Sequence, residues 1–322
     1  MFTEERRLAA DAFWRRLAGP RVLLRSGSFG VRVARHAVRR PYRQGLPSGD
    51  DRLIRRRIRA AVYDSVVHLL LDAYAEIDGV SLQRRTGPIL VRLNRMLAAF
   101  DDAFESRLGA GSSLSFPDVF ADHVVQERMD EAIAYLIDYP EGPGIREYLN
   151  EWVNSQYAAY VALATRERVH ERLDDQLELA RVDSGGLATC FANCVGLVQE
   201  ARPSVALIDQ FTSLGLLGKI ADDVVDFWDD LRSDRINIVR GVLHRSPTEE
   251  ALVLRRAGSM DSTSISWWRH HCPATYVALS TLLADYRRHA TAPSMTLAAD
   301  LMLLPARWGR TVIRAAPVGL RN

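Results

Sequence analysis

Val205–Val239 reads VALIDQFTSLGLLGKIADDVVDFWDDLRSDRINIV. Its first half repeats apolar residues at i, i+3, i+4 and i+7, the period of a helix with a buried face. That pattern predicts a helix over Val205–Leu231. The second half keeps the period and adds charge: Asp222, Asp226 and Asp230 stand at i, i+4 and i+8. Each step of four residues turns about 400°, so the three carboxylates share a stripe about 80° wide. Like charges at this spacing repel. The stripe also extends from an apolar helix, where a carboxylate row is costly unless a cation or protons neutralise it. Mg²⁺ suits the row, because it takes oxygen ligands and keeps water and substrate phosphates in its shell. Arg232, Arg235 and Asn237 follow as phosphate donors. A solvated acidic helix face is the competing reading of this segment taken alone.

The same period runs outward in both directions. It recurs over Leu53–Glu76, Ile89–Phe104, Val119–Ile137, Gly144–Leu163, Val169–Arg181 and Leu187–Glu200. Beyond the opening stretch it returns at Thr248–Ala257, Thr275–Arg288 and Leu297–Ile313. Period-2 alternation is scarce, so the fold class is all-α: a single-domain bundle or barrel of about ten helices. GAGSS at 109–113 and YPEGPG at 139–144 are turn clusters. Pro20–Asp51 is rich in Arg, Gly and Pro with weak periodicity, and reads as an N-terminal arm. The expected division is therefore an arm with short helices over 1–52 and a catalytic domain over 53–322. No fixed-period repeat argues for a solenoid.

Composition narrows the class. The chain has 322 residues, 48% of them hydrophobic, with a formal net charge of +2. That balance gives no global case for nucleic-acid binding. Every basic residue except Lys219 is arginine. GC-rich codon usage explains the bias, yet arginine also suits bidentate phosphate recognition. Cys190 and Cys194 are four apart in an apolar run and read as core rather than a metal pair. With Cys272 they make an odd count that fits a reducing compartment. No apolar run is long enough to span a bilayer and no secretory leader is seen, so a cytoplasmic location is expected.

Three further constellations carry chemistry. In FDDAFE, Asp101 and Glu105 share a helix face, with Asp102 about 100° round and Gly109 just beyond. Carboxylates near a helix C-terminus oppose its dipole, a cost that a bound cation offsets. In LARVDSGG, Arg181 ends a helical run and Ser184-Gly185-Gly186 is expected to break it. In Trp308–Arg314, WGRTVIR, Arg310 and Arg314 share a face with Arg307. Each has a plainer reading: an acidic surface, an interhelix turn and a basic surface.

Together these motifs resemble the class I terpene synthases of the isoprenoid synthase superfamily, most closely the bacterial diterpene synthases. That family pairs a DDxxD/E motif with (N/D)Dxx(S/T/D)xxx(E/D). Asp101, Asp102 and Glu105 match the first. Asp222, Asp223, Asp226 and Asp230 match the second, and Arg235, Asn237, Ile238 and Val239 match the basic-x-Asn-Leu/Ile-Val element after it. An arginine sensor of diphosphate precedes the second motif by some forty to fifty residues in bacterial members; Arg181 lies 41 before Asp222. The linker and effector positions that follow the sensor fall on Ser184 and Gly185, although the linker is usually acidic. The family's C-terminal Arg-Tyr pair is incomplete here, because Ala315 follows Arg314. A second DDxxE, at Asp174–Glu178, fails on position.

The resemblance implies a definite chemistry. Asp101, Asp102, Glu105, Asp222, Asp226 and Asp230 hold Mg²⁺, three ions in this family. Arg181, Arg235, Asn237 and Arg314 cradle the diphosphate of a prenyl diphosphate substrate. Phe100, Trp152, Phe191, Trp267 and Trp268 are candidates for the pocket wall, since aromatic faces attract cations. No DxDD acid is present, so the reaction starts by ionisation. The substrate is a linear C15 or C20 diphosphate or a cyclised C20 diphosphate made by a separate class II cyclase, with C20 favoured. Head-to-head coupling of the squalene or phytoene synthase type is the nearest rival, because DFWDDLRSDR fits it as well. A non-catalytic helical binding protein is the alternative of another class. Oligomeric state stays open, a homodimer included.

Overall fold

Helical period becomes helix along most of the chain. The computed structural model describes residues 3–39, 51–108, 122–167, 169–256 and 264–308, and no strand occurs among them. At the N-terminus lie α1 (Glu4–Leu17), α2 (Pro20–Arg39), α3 (Asp51–Asp78) and α4 (Thr86–Leu108). The middle holds α5 (His123–Leu136), α6 (Gly142–Ala164), α7 (Leu173–Ala180) and α8 (Gly186–Gln199). Then come α9 (Val205–Arg232), α10 (Ile238–Leu243), α11 (Pro247–Arg256), α12 (Ile265–His271), α13 (Pro273–Arg288) and α14 (Pro293–Trp308).

Capping chemistry sets several starts. Thr3, Asp122, Ser204 and Asn237 each accept from a backbone N–H of the following first turn, which satisfies donors the helix itself leaves open. α9 organises the core. It packs against α3, α8, α13 and α14. Phe211, Leu217, Ile220, Val224, Phe227 and Trp228 on it are fully buried, as expected of a helix that is apolar around most of its girth.

Two parts depart from the expected organisation. Pro20–Arg39 is a continuous helix rather than an irregular arm. Proline is favoured at the first helical position, where no N–H is needed. Gly27 and Gly30 sit inside that helix with open space around them, at about 1 kcal/mol each relative to alanine; they had masked its period. α1 is also part of the folded body. Trp14 donates from Nε1 to Ser280 Oγ at 2.8 Å, and buried Asp11 accepts from Arg269 Nη2 at 2.8 Å and the Tyr276 hydroxyl at 2.7 Å. Burial pushes the Asp11 carboxyl up, but these donors prevail and hold it below the usual carboxylate range.

The second departure concerns LARVDSGG. The chain is not broken there: Arg181–Gly185 forms a π-helical segment joining α7 to α8 without a turn. Both flanking residues, Ala180 and Gly186, keep right-handed helical angles. One extra residue widens the helix instead of ending it, a device often found at functional sites.

Candidate active site

The carboxylate row on α9 grades from solvent to core. Asp222 is exposed, Asp226 half-buried and Asp230 8% exposed. Steps of four advance about 40° round the helix, so the row turns inward as it runs.

Lys219 stands one turn before the row. Its Nζ lies 3.0 Å from Asp223 Oδ1, on a carboxylate only 1% exposed. Asp223 Oδ2 accepts the Ile238 backbone N–H at 2.7 Å. Asp183 of the π segment also lies within the field of this ammonium. Burial pushes the Asp223 carboxyl up to about 6, against the opposing pull of Lys219 and the Ile238 N–H. Burial likewise raises Asp183, with Lys219 and the Ser184 hydroxyl holding it back. Asp230 is raised by burial too, opposed by its bond from Asn237. Lys219 itself is held well above its ordinary value, chiefly by Asp223. One ammonium therefore serves three carboxylates that all hold protons more tightly than in water. The region has room for more positive charge.

The π segment meets α9 at glycine. A Cβ at Gly215 would lie 2.2 Å from the Ser184 carbonyl oxygen and 2.9 Å from Gly185 Cα. Only a bare backbone permits that approach. Gly185 is buried, and a Cβ on it would press on Thr212 Cγ2 at 3.3 Å. Ser184 is half-buried, while Arg181, at the head of the segment, is exposed. Its charge is felt by the Tyr286 phenol on α13. Gly215→Ala is expected to cost about 2–3 kcal/mol, since overpacking against backbone cannot relax. Gly218→Ala, whose Cβ would meet only the mobile end of Met302 at 3.2 Å, should stay within about 1 kcal/mol. Urea unfolding of the two variants checks the contrast.

Beyond the row the chain doubles back. Asp234 adopts a left-handed φ of 50°, and the Arg235 N–H bonds the Asp230 carbonyl at 2.9 Å, closing α9 with a Schellman-type turn. That turn folds Asn237 under the helix. Its Nδ2 donates to the Asp223 carbonyl at 3.0 Å and to Asp230 Oδ2 at 2.8 Å, while its Oδ1 accepts from Val239 N at 2.9 Å. Asn237 was expected among the diphosphate donors. It is fully buried with both amide hydrogens committed, and here it is the staple between α9 and α10. Spacing along the chain could not reveal the fold-back. Arg235 remains exposed, and its charge reaches Asp230.

The remaining candidates divide. Phe100, Asp101, Asp102 and Glu105 lie on α4, but their side chains fall outside the described residues, as does Arg314. α4 and α9 each pack on α3 and α8. Phe191 is buried and stacks on Phe211 at 6.2 Å. Trp152 is half-buried, with an indole N–H that lacks a hydrogen-bond partner. Trp267 and Trp268 are built into an aromatic core cluster: Trp268 meets Phe227 edge-on at 4.9 Å and Trp267 meets Trp228 at 5.5 Å. The second DDxxE is structural, with Asp175 paired to Arg166 and Arg172 and Asp174 to Arg245. The three cysteines are free and buried.

Among the described residues no group of three or more His, Cys, Asp or Glu side chains gathers to hold a metal. No protein-family model matches the chain, and no curated protein matches it. Mg²⁺ nevertheless suits the donors present. It is commonly held by one or two carboxylates, with water and substrate phosphates completing its shell, and Asp222 and Asp226 offer two hard oxygen ligands at the solvent side of the row. Sequence reading overlooked Lys219 and Asp183. The one lysine in a chain otherwise basic through arginine was the available signal.

Proposed function

We propose that this protein is a Mg²⁺-dependent class I terpene synthase that ionises an allylic prenyl diphosphate, with a linear or precyclised C20 substrate favoured over C15. The observation that carries the reading is one seam. At the Gly215–Ser184 contact, the π segment headed by Arg181 lies directly against the helix that bears the carboxylate row. Recognition of an anion and recognition of a cation thus share one piece of structure.

In this reading Asp222 and Asp226 hold Mg²⁺, with Asp230 at the inner end, and Asp101, Asp102 and Glu105 supply the opposite set. When bound, Mg²⁺ supplies electrostatic stabilisation of the departing diphosphate. Arg181, Arg235 and Arg314 bind the diphosphate oxygens and take up charge as the carbon–oxygen bond breaks and its electron pair leaves with oxygen. Lys219 and Asp183 keep the π segment and α9 in one electrostatic unit, so Arg181 and the row stay in register. Apolar walls with Phe191 and Trp152 exclude water from the allylic cation.

Gas chromatography after incubation with C10, C15 and C20 diphosphates and Mg²⁺ tests the proposal. The expected result is a cyclic or linear terpene hydrocarbon or alcohol and stoichiometric diphosphate, abolished by chelator. A C30 or C40 hydrocarbon would instead assign head-to-head coupling. No turnover of any prenyl diphosphate would leave a binding protein.

A further inference from the structure

The charge of this chain is unevenly placed. Residues 12–49 carry nine arginines and no Asp or Glu. Residues 1–60 carry sixteen arginines against five carboxylates, so the rest of the chain is net acidic although the whole is only +2. α2 lies inside this basic region and has no acidic residue over its 20 positions. One face of it is anchored: Phe29 is buried in the core, and the helix packs on α3 and α14.

The outward surface of α2 has two stripes. Leu24 is 74% exposed and Val31 53% exposed. Seven residues apart, they lie within about 20° of each other round the helix. Arg21 and Arg25 are also exposed, and at about 100° per residue they fall roughly 60–100° to one side of Leu24. Arg32, Arg35 and Arg39 continue the arginine stripe in register, and Val38 continues the apolar one. A helix anchored on one face thus offers solvent an apolar stripe flanked by arginines. A nucleic acid or an acidic protein would account for the arginines but would leave Leu24 and Val31 facing water. An anionic bilayer surface accounts for both, with arginines at the headgroups and the apolar stripe at the acyl boundary.

We propose that α2 docks this protein on anionic membrane surfaces, lying in the interface without crossing it. Among the described residues no helix is long and apolar enough to cross a membrane, so such attachment is peripheral and reversible. It would place a soluble catalytic body beside the phase in which long prenyl chains and hydrocarbon products partition.

Vesicle co-sedimentation of the full chain tests this. Phosphatidylcholine vesicles containing about one-third phosphatidylglycerol are compared with phosphatidylcholine alone, at low salt and at about 0.5 M salt. We expect binding at least tenfold tighter to the anionic vesicles, weakened at least tenfold by either Arg21→Glu with Arg25→Glu or Leu24→Ser with Val31→Ser. Equal binding to the two vesicle types overturns the proposal. So does loss of binding with the arginine pair alone, since the apolar stripe would then contribute nothing. If the Leu24/Val31 variant changes sedimentation of the free protein instead, the face is a contact between copies and the bilayer is excluded. Circular dichroism and melting of each variant confirm the fold; all four positions are exposed, so single substitutions serve if a pair fails to fold.

Discussion

Lys219→Met should destabilise the fold by about 3 kcal/mol at neutral pH, because it strands a buried carboxylate. Asp223 is 1% exposed, and its ammonium partner sits at 3.0 Å. Methionine matches the lysine stem but leaves Asp223 with one backbone donor and Asp183 without its nearest positive charge. The loss should depend on pH in a definite direction. The folded-state value of Asp223, already raised to about 6 with Lys219 present, rises further without it. For an acid raised in the native state, the associated stability is complete below the unfolded value near 3.8 and disappears as pH rises through the folded one. The difference between wild type and variant should therefore shrink as pH falls from 8 toward about 5, as Asp223 takes up a proton. Chemical denaturation at several pH values measures it. A pH-independent loss would mean that the packing of the lysine stem, not its charge, matters.

Asp226→Ala should separate stability from activity. The residue is half-buried on a row of like charges, so removing it should hold or slightly raise the melting temperature in Mg²⁺-free buffer. Turnover of the accepted prenyl diphosphate should fall roughly a hundredfold or more, and any rise in melting temperature caused by Mg²⁺ with inorganic diphosphate should vanish. Asp230→Ala behaves differently. It removes the acceptor of the Asn237 amide, 2.8 Å away in the core, and should cost about 1–3 kcal/mol without any ligand. Retained turnover in Asp226→Ala would remove this residue from the reaction and weaken the reading of the whole row.

The legibility of this molecule follows from the range of each interaction. α9, α3 and α6 were readable because burial of one helix face imposes a repeat that local sequence must carry. α2 was misread because glycine and proline signal loops on average, while a proline at a helix start and two uncrowded glycines within it do no harm. The π segment was recognised as a perturbed place, but not as a continuous helix. Whether Ser-Gly-Gly ends a helix depends on the Gly215 backbone pressed against it. Asn237 was assigned by its distance along the chain from the carboxylates, and a left-handed residue at Asp234 reversed the chain and buried it.

The sequence by itself determined the all-helical architecture, the acid row on one stripe of α9 and the place where a helix is disturbed. These are properties of periods of three to four residues. Only the tertiary structure decided how the row is graded, that Lys219 is paired to Asp223 beneath it, and that the π segment lies in backbone contact with α9. Burial and ion pairing there depend on residues far apart in the chain, Ser184 against Gly215 and Asp183 beside Lys219, whose proximity no local pattern encodes.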